Sequence, residues 1–411
     1  MKLPALVLLG TLACPALLSA AIIGRNPPSL PLTTERIAHL PAERQPDWRD
    51  YLARSEAARA ADTAFYAGEL KRLGLAEAIV PPRGGRLLLT ETSAWYAGFE
   101  GRRIADIVVS FQTPAGGWNK NTNFTRRARQ PGERSGYEAG YVGTIDNDAT
   151  IVPLRFLAKV VTALGSDAAG APFRAAFARG IEYLFAAQFS NGGWPQVWPL
   201  QGGYHDMITF NDGAVVNVLT LMGDIAAGDG EFAFTPSDLR ARAATSFARG
   251  LSCILATQIV SNGHRTVWCQ QYDPLTLAPT SARNYEMPAQ SAGESGGLVL
   301  FLMKLPKPSP AAITAVHAAA AWFQKTKIND IIFKPAPDGS GRAVIPTPGA
   351  GPLWPRYSEI GSDRPIFGDR DLTIHDDVSE ISKERRNGYA WFGDTPKRAL
   401  DHYARWAKLH P

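Results

Sequence analysis

Sulfur is scarce in this chain: three cysteines and five methionines in 411 residues. Cys14 lies in the N-terminal apolar run, so only Cys253 and Cys269 stay available to each other. In an oxidising compartment a disulfide between them and two buried free thiols are both open readings. No His/Cys cluster has zinc spacing, no serine or cysteine nucleophile signature occurs, and the Gly-Gly turns lack the following Lys-Ser or Lys-Thr of a phosphate loop. There is no basic tract, and the net charge is only +5, which makes nucleic acid a poor partner and favours an anionic one such as a polysaccharide or envelope surface. Beyond the N-terminus no apolar run is long enough to cross a membrane.

What is present first is an export signal. Lys2, an apolar run to Leu18 and the small residues Ser19, Ala20 and Ala21 have the layout of a secretory signal peptide over residues 1–21. The expectation is a soluble, exported, monomeric protein, periplasmic or secreted, with residues 22–411 as one domain. At 45% hydrophobic content, that length buries a large core. The segment from about Ile22 to Arg49 is rich in proline and polar residues and reads as a strap over the domain.

A repeat organises the rest. SFQTPAGGW ends at Trp118, AQFSNGGW at Trp194 and TQIVSNGHRTVW at Trp268, with the glutamines at positions 112, 188 and 258. Each helical run thus ends in Gln, a spacer, and a Gly turn near Trp. After each comes a variable loop and a polar-headed apolar run: TIDNDAT into Ile151, ITFNDGA into Val215, and SARNYEMPAQSAGESGG into Leu298. Three such copies predict an all-α (α/α) toroid of three helix-pair repeats, with long loops and some short strands at the cleft face. Asp146, Asp212 and Arg283 then stand at equivalent places in successive repeats. A closing amphipathic helix pair is expected around Gly393, from Glu380 to Trp406.

Two charge sets follow. Asp146, Asn147, Asp148 and Asp212 form a hard-oxygen group suited to calcium. Lys120, Arg283, Arg356 and Arg370 suit a ligand with several carboxylates, the guanidinium fork matching a carboxylate on two bonds.

GGWNKN (Gly116 to Asn121), TIDNDAT, GGWPQ, ITFND, SARNYE and RPIFGDRD, taken in that order, resemble the pectate lyases of polysaccharide lyase family ten, over roughly Thr90 to Trp391. That resemblance implies an α/α toroid and calcium-assisted β-elimination of α-1,4-linked polygalacturonate to 4,5-unsaturated oligogalacturonides. By the family pattern Arg283 falls on the Brønsted base, with burial near other cations as the route to a lowered pKa. Asp146 and Asp212 fall on calcium and carboxylate positions, with Asn147 as a further metal ligand. Lys120, Arg356, Arg370 and Asn119 fall on the substrate-binding side. Asp148 replaces a small residue of the family pattern. The alternatives are a glycoside hydrolase of uronate polysaccharides, using Asp146 and Asp212 as acid and base, and a non-catalytic uronate-binding protein.

Overall fold

The computed structural model describes residues 22–411, so the signal peptide expected at 1–21 lies outside the described residues. Three sequence repeats form the toroid. The first runs from α1 (Phe99–Ser110) to α2 (Ile151–Leu164), the second from α3 (Ala171–Ala187) to α4 (Ala214–Ala227), and the third from α5 (Ser237–Thr257) to α6 (Ala292–Leu302), with the close helix packing falling between repeats, α2 on α3 and α4 on α5. The helical stretch before the first Gln turn is broken at Gly98 into Ser93–Ala97 and α1. A 29-residue helix, Gln45–Leu73, lies against the first two repeats: the Tyr51 hydroxyl donates to the Ala187 carbonyl at 3.0 Å, and Asp62 accepts from the Ala115 N–H at 2.9 Å. Burial pushes the Asp62 carboxyl up to about 6.

The Gln-Gly-Trp turns explain why the repeats stack. In each, the buried indole N–H donates back into the preceding helix: Trp118 to Val108 (2.8 Å), Trp194 to Leu184 (2.8 Å), Trp268 to Ile254 (2.7 Å). These are carbonyls that the helix end leaves without intrahelical partners, or nearly so. Each glutamine amide then ties its own turn to a later helix. Gln112 donates to its own Gly116 carbonyl and to Ala176; Gln188 to Gly192 and Ser246; Gln258 to Thr266 and Ala315. Trp354 repeats the device once more, its indole donating to Phe323 at the end of Pro310–Thr326.

The tryptophans fit because the facing helix carries glycine. A Cβ on Gly180 would fall 2.7 Å from Leu154 and 2.8 Å from Trp118; on Gly250, 2.6 Å from Leu219 and 2.7 Å from Trp194. The main core runs through all the repeats, and a second cluster built on Tyr285, Tyr357, Phe367 and Trp391 supports the C-terminal loops.

Three features left open or coarse in the sequence take definite form. Cys253 and Cys269 are both free and buried, the Cys253 thiol pushed up to about 12 by desolvation. The C-terminal helix pair is one short helix, Lys383–Gly388, and one longer, Thr395–Trp406. Between them Phe392–Gly393 forms a strand paired with Trp354–Pro355. Within the N-terminal strap, Gly24–Arg25 forms a strand paired with Thr373–Ile374, and Thr34–Ala38 forms a short helix. Among the described residues no helix is long and apolar enough to cross a membrane.

Because the two glycines play one role in two repeats, Gly180→Ala and Gly250→Ala should each destabilise the protein by roughly 1–3 kcal/mol through overpacking. Urea unfolding midpoints check this, and an unchanged midpoint in both variants would refute the packing account.

Candidate active site

Two of the three inner helices are entered through a short 3₁₀ turn, Asp146–Asp148 before α2 and Asn211–Gly213 before α4, and the two turns touch. Both carry consecutive left-handed residues: Asn147 (φ 49°) and Asp148 (φ 58°) in the first, Asp212 (φ 50°) and Gly213 (φ 72°) in the second. The conformations align the turns one residue off the expected register. Asp146 corresponds to Asn211, Asn147 to Asp212, and Asp148 to a glycine. Asp148 therefore holds a conformation that glycine adopts without strain. Its Oδ1 accepts from Asn217 on α4 at 2.5 Å, so it ties the two inner helices together.

Asp146 is buried, 3% exposed, with Oδ2 bonded to the Lys120 ammonium at 2.6 Å and Oδ1 without a hydrogen-bond partner among the described residues. An unpartnered buried carboxylate oxygen is costly unless something else meets it. Lys120 also lies 3.8 Å from the centroid of the Tyr141 ring, and the Tyr141 hydroxyl is 2.7 Å from Nε2 of His205. Burial, then the Lys120 charge, lower His205 to about 4, keeping its imidazole neutral. Asp212 is solvent-exposed, as is Asn147. Its carboxyl is raised above the ordinary range by the protein packed around it, then by Glu294 and, more weakly, Asp146, with Arg356 and Arg283 opposing.

Arg356 is held by Glu294 at 2.6 Å and by the Asn211 side-chain carbonyl at 3.2 Å, and lies 4.7 Å from the Tyr389 ring centroid. Its Nε is buried with no partner among the described residues.

Arg283 is gripped by Glu286 on two bonds, Nε to Oε2 at 2.9 Å and Nη2 to Oε1 at 2.5 Å, with its backbone N–H on Oε2 at 3.0 Å. Glu286 is 2% exposed and takes a further bond from the Tyr389 hydroxyl at 2.5 Å, itself 2.8 Å from the Tyr357 hydroxyl, which donates to Gln270. The expected lowering of Arg283 is not what the site does. Burial opposes its charge, but the Glu286 carboxylate outweighs that and raises the guanidinium above its ordinary value. Since Glu286 occupies the Nε and Nη2 edge, Nη1 is the nitrogen left without a partner among the described residues.

Arg370 sits at the outer edge, 62% exposed at the side chain and paired with Glu384, 5.7 Å from the Tyr285 ring. Asn119 is spent on the scaffold: it donates to the Glu138 carbonyl at 2.9 Å and accepts the Glu138 N–H at 3.2 Å, and it is 2% exposed.

Reading the sequence alone missed Glu286 and Glu294, which lie inside motifs already singled out, and Asn26, for which no local signal existed. Asn26 is 4% exposed, and its side-chain nitrogen stands 3.1, 2.9 and 3.2 Å from the carbonyls of Arg283, Asn284 and Glu286, sharing two protons among three acceptors. Its Oδ1 accepts from Ser281 at 2.7 Å. The strap thereby holds the Arg283 loop from 257 residues away.

Two carboxylates, Asp146 and Asp212, share this face with four cations. No group of three or more His, Cys, Asp or Glu side chains suited to a metal occurs among the described residues. Asp146 Oδ1 and the crowded Asp212 carboxylate fit a hard cation that arrives with oxygen ligands of its own, rather than a complete protein cage.

The family model for pectic acid lyase matches residues 112–400. A family 10 polysaccharide lyase from Cellvibrio cellulosa is 32% identical with a TM-score of 0.66, over 74% of this chain and 92% of that one. A mutant of a family 10 polysaccharide lyase from the same organism, in complex with trigalacturonic acid, gives 32% and 0.66 over 76% and 95%. No curated protein matches. The chain belongs to the pectic acid lyase family and is an enzyme, a pectate lyase whose toroid is that of the family 10 polysaccharide lyases.

Asn26→Ala should loosen the Arg283 loop by about 1–3 kcal/mol, the cost of leaving buried carbonyls unpaired. Amide hydrogen exchange should quicken at Ala282 and Glu286, whose N–H groups bond within that loop. Unchanged exchange there would show that the strap does not hold it.

Proposed function

We propose that the protein is an exported pectate lyase that cleaves α-1,4-linked polygalacturonate by calcium-assisted β-elimination, leaving 4,5-unsaturated oligogalacturonides. The observation that carries the reading is the mixed charge of one face, where Asp146 and Asp212 share electrostatic reach with Arg283 and Arg356. A polymer carrying one carboxylate per sugar needs cations at intervals, and Lys120, Arg356 and Arg370 supply them. Trigalacturonic acid bound to the similar Cellvibrio enzyme mutant supports the same class of ligand.

Asp146, Asn147 and Asp212 would hold calcium, which when bound supplies a Lewis acid against the uronate carboxylate and makes the C5 proton more acidic. In the elimination the C5–H and C4–O bonds break, the C4=C5 bond forms, and the departing O4 takes a proton from solvent. Arg283 acts as base through Nη1, the terminal nitrogen that Glu286 leaves open. Arg356 and Lys120 stabilise the charge that develops at the carboxylate.

The base must lose a proton first, and Glu286 opposes that loss. The reaction therefore belongs to alkaline pH. Removing the negative charge lowers the Arg283 pKa, so Glu286→Gln should shift the alkaline rise of kcat/KM to lower pH. An unmoved profile in an active variant would detach Arg283 from the rate-controlling proton.

Hydrolysis has one feature in its favour, the raised Asp212 carboxyl beside Asp146. Ultraviolet absorbance of unsaturated uronate ends decides between them. On polygalacturonate the absorbance should rise, stop on chelation, and fall by about a thousandfold or more in rate in Arg283→Ala. New reducing ends without absorbance would mean hydrolysis.

A further inference from the structure

A pocket of about 230 Å³ adjoins the Asp146 turn. It is lined by the loop of residues 84–87, by residues from 147 to 153, and by Phe124. It interleaves with the candidate active site along both segments that build it. Asn119 and Asn121 line the pocket on either side of Lys120 in the chain, and Asn147 and Asp148 line it directly after Asp146.

The 84–87 loop is held in place. Arg83 bridges Thr122 in antiparallel register, the Gly84 N–H donates to Asn121 at 3.1 Å, and the Asn123 N–H donates to Pro82 at 3.1 Å. Gly85 takes a positive φ of 80°, and a Cβ there would lie 2.6 Å from Asn123 Oδ1, so only glycine lets the loop close this far. This loop lies outside the segment matched by the family model, which begins at residue 112.

Arg86 stands on this loop, exposed, with no hydrogen bond or ion pair to any described residue. The other arginines of this face are committed: Arg283 to Glu286, Arg356 to Glu294, Arg370 to Glu384. The acid of the same pocket, Asp148, has Oδ1 engaged by Asn217. The pocket thus offers one uncommitted guanidinium, the side-chain oxygen of Asn121, whose amide nitrogen donates to Glu138 at 2.8 Å, and an apolar lining residue in Phe124, which is the mix a uronate ring needs: a cation for its carboxylate, an acceptor for a hydroxyl, and a carbon face for its C–H groups.

We propose that this pocket is an additional sugar subsite, in which Arg86 receives the carboxylate of a uronate unit lying beyond those at the reacting centre. The inference rests on the polygalacturonate lyase reading above and extends it to how far the polymer is gripped. The subsite adds ground-state binding away from the chemistry, so it acts on KM and on which bonds of a long chain are cut, with kcat little altered.

The test is steady-state kinetics on polygalacturonate together with the size distribution of early products. Losing a charged bond of this kind predicts a rise in KM of about tenfold in Arg86→Ala, with kcat within about twofold and a changed product pattern. Arg86→Lys should recover part of the binding, and Arg83→Ala should change nothing. Arg83 is the control for net charge: it is a cation of the same loop, it does not line the pocket, and it lies over the Tyr137 ring at 5.3 Å. Unaltered KM and products in Arg86→Ala would overturn the subsite, as would an equal rise in Arg83→Ala, which would mean a general field effect. If the unaltered protein gives no unsaturated product, the lyase reading fails and the subsite with it.

Discussion

A buried indole N–H that reaches back to the last turns of the preceding helix is the contact on which this structure depends. Trp118, Trp194 and Trp268 each make it, and the partner glutamines extend it to a later helix. The direction of the chain leaving each outer helix is thereby fixed, and with it the place where each loop begins. The Trp118 turn is followed immediately by Asn119 and Lys120. The backbone N–H of Trp118 also bonds to the Thr150 hydroxyl at the head of α2. One packed side chain therefore sets both the cation and the start of the helix whose mouth carries Asp146.

The second constraint is charge. Nearly every cation of the site is met by an acid: Lys120 by Asp146, Arg283 by Glu286, Arg356 by Glu294, Arg370 by Glu384. Glu286 and Glu294 are almost wholly buried side chains, 3% and 5% exposed, and they fix where the guanidinium groups point. Removing Glu294 would leave the largely buried Arg356 without its partner, a cost larger than the pair's net contribution to stability. Against that balanced background the groups left over stand out: Asp146 Oδ1, Arg356 Nε and the Asp212 carboxyl crowded by like charge. These are the places where a metal and an anionic polymer would add the missing partners.

Much of this was legible in the amino-acid sequence, for a physical reason. The Gln-Gly-Trp turns recur because the same indole and amide bonds must be made three times, so the toroid shows as a spacing. Asp146, Asp212, Arg283 and Arg356 stand at or near the heads of apolar helices or beside aromatic runs, and sequence marks such boundaries. What could not be read was register and long-range contact. The left-handed pairs at Asn147–Asp148 and Asp212–Gly213 shift the two turns by one residue, which only backbone angles reveal. Asn26 acts on residues far along the chain. The raised Arg283 follows from Glu286, three residues away, turning inward onto it rather than toward solvent. Cys253 and Cys269 offered two readings, and the structure keeps both thiols free.

On the proposed reading the protein supplies part of a cation site and the polymer supplies the rest. Calorimetric titration of calcium into the Arg283→Ala protein, with and without a saturating oligogalacturonate, tests it most directly. The account predicts weak calcium binding alone and an affinity at least about tenfold higher with the oligosaccharide, the reciprocal increase appearing when the oligosaccharide is titrated in the presence of calcium. Tight calcium binding to the free protein, unaltered by the oligosaccharide, would contradict it.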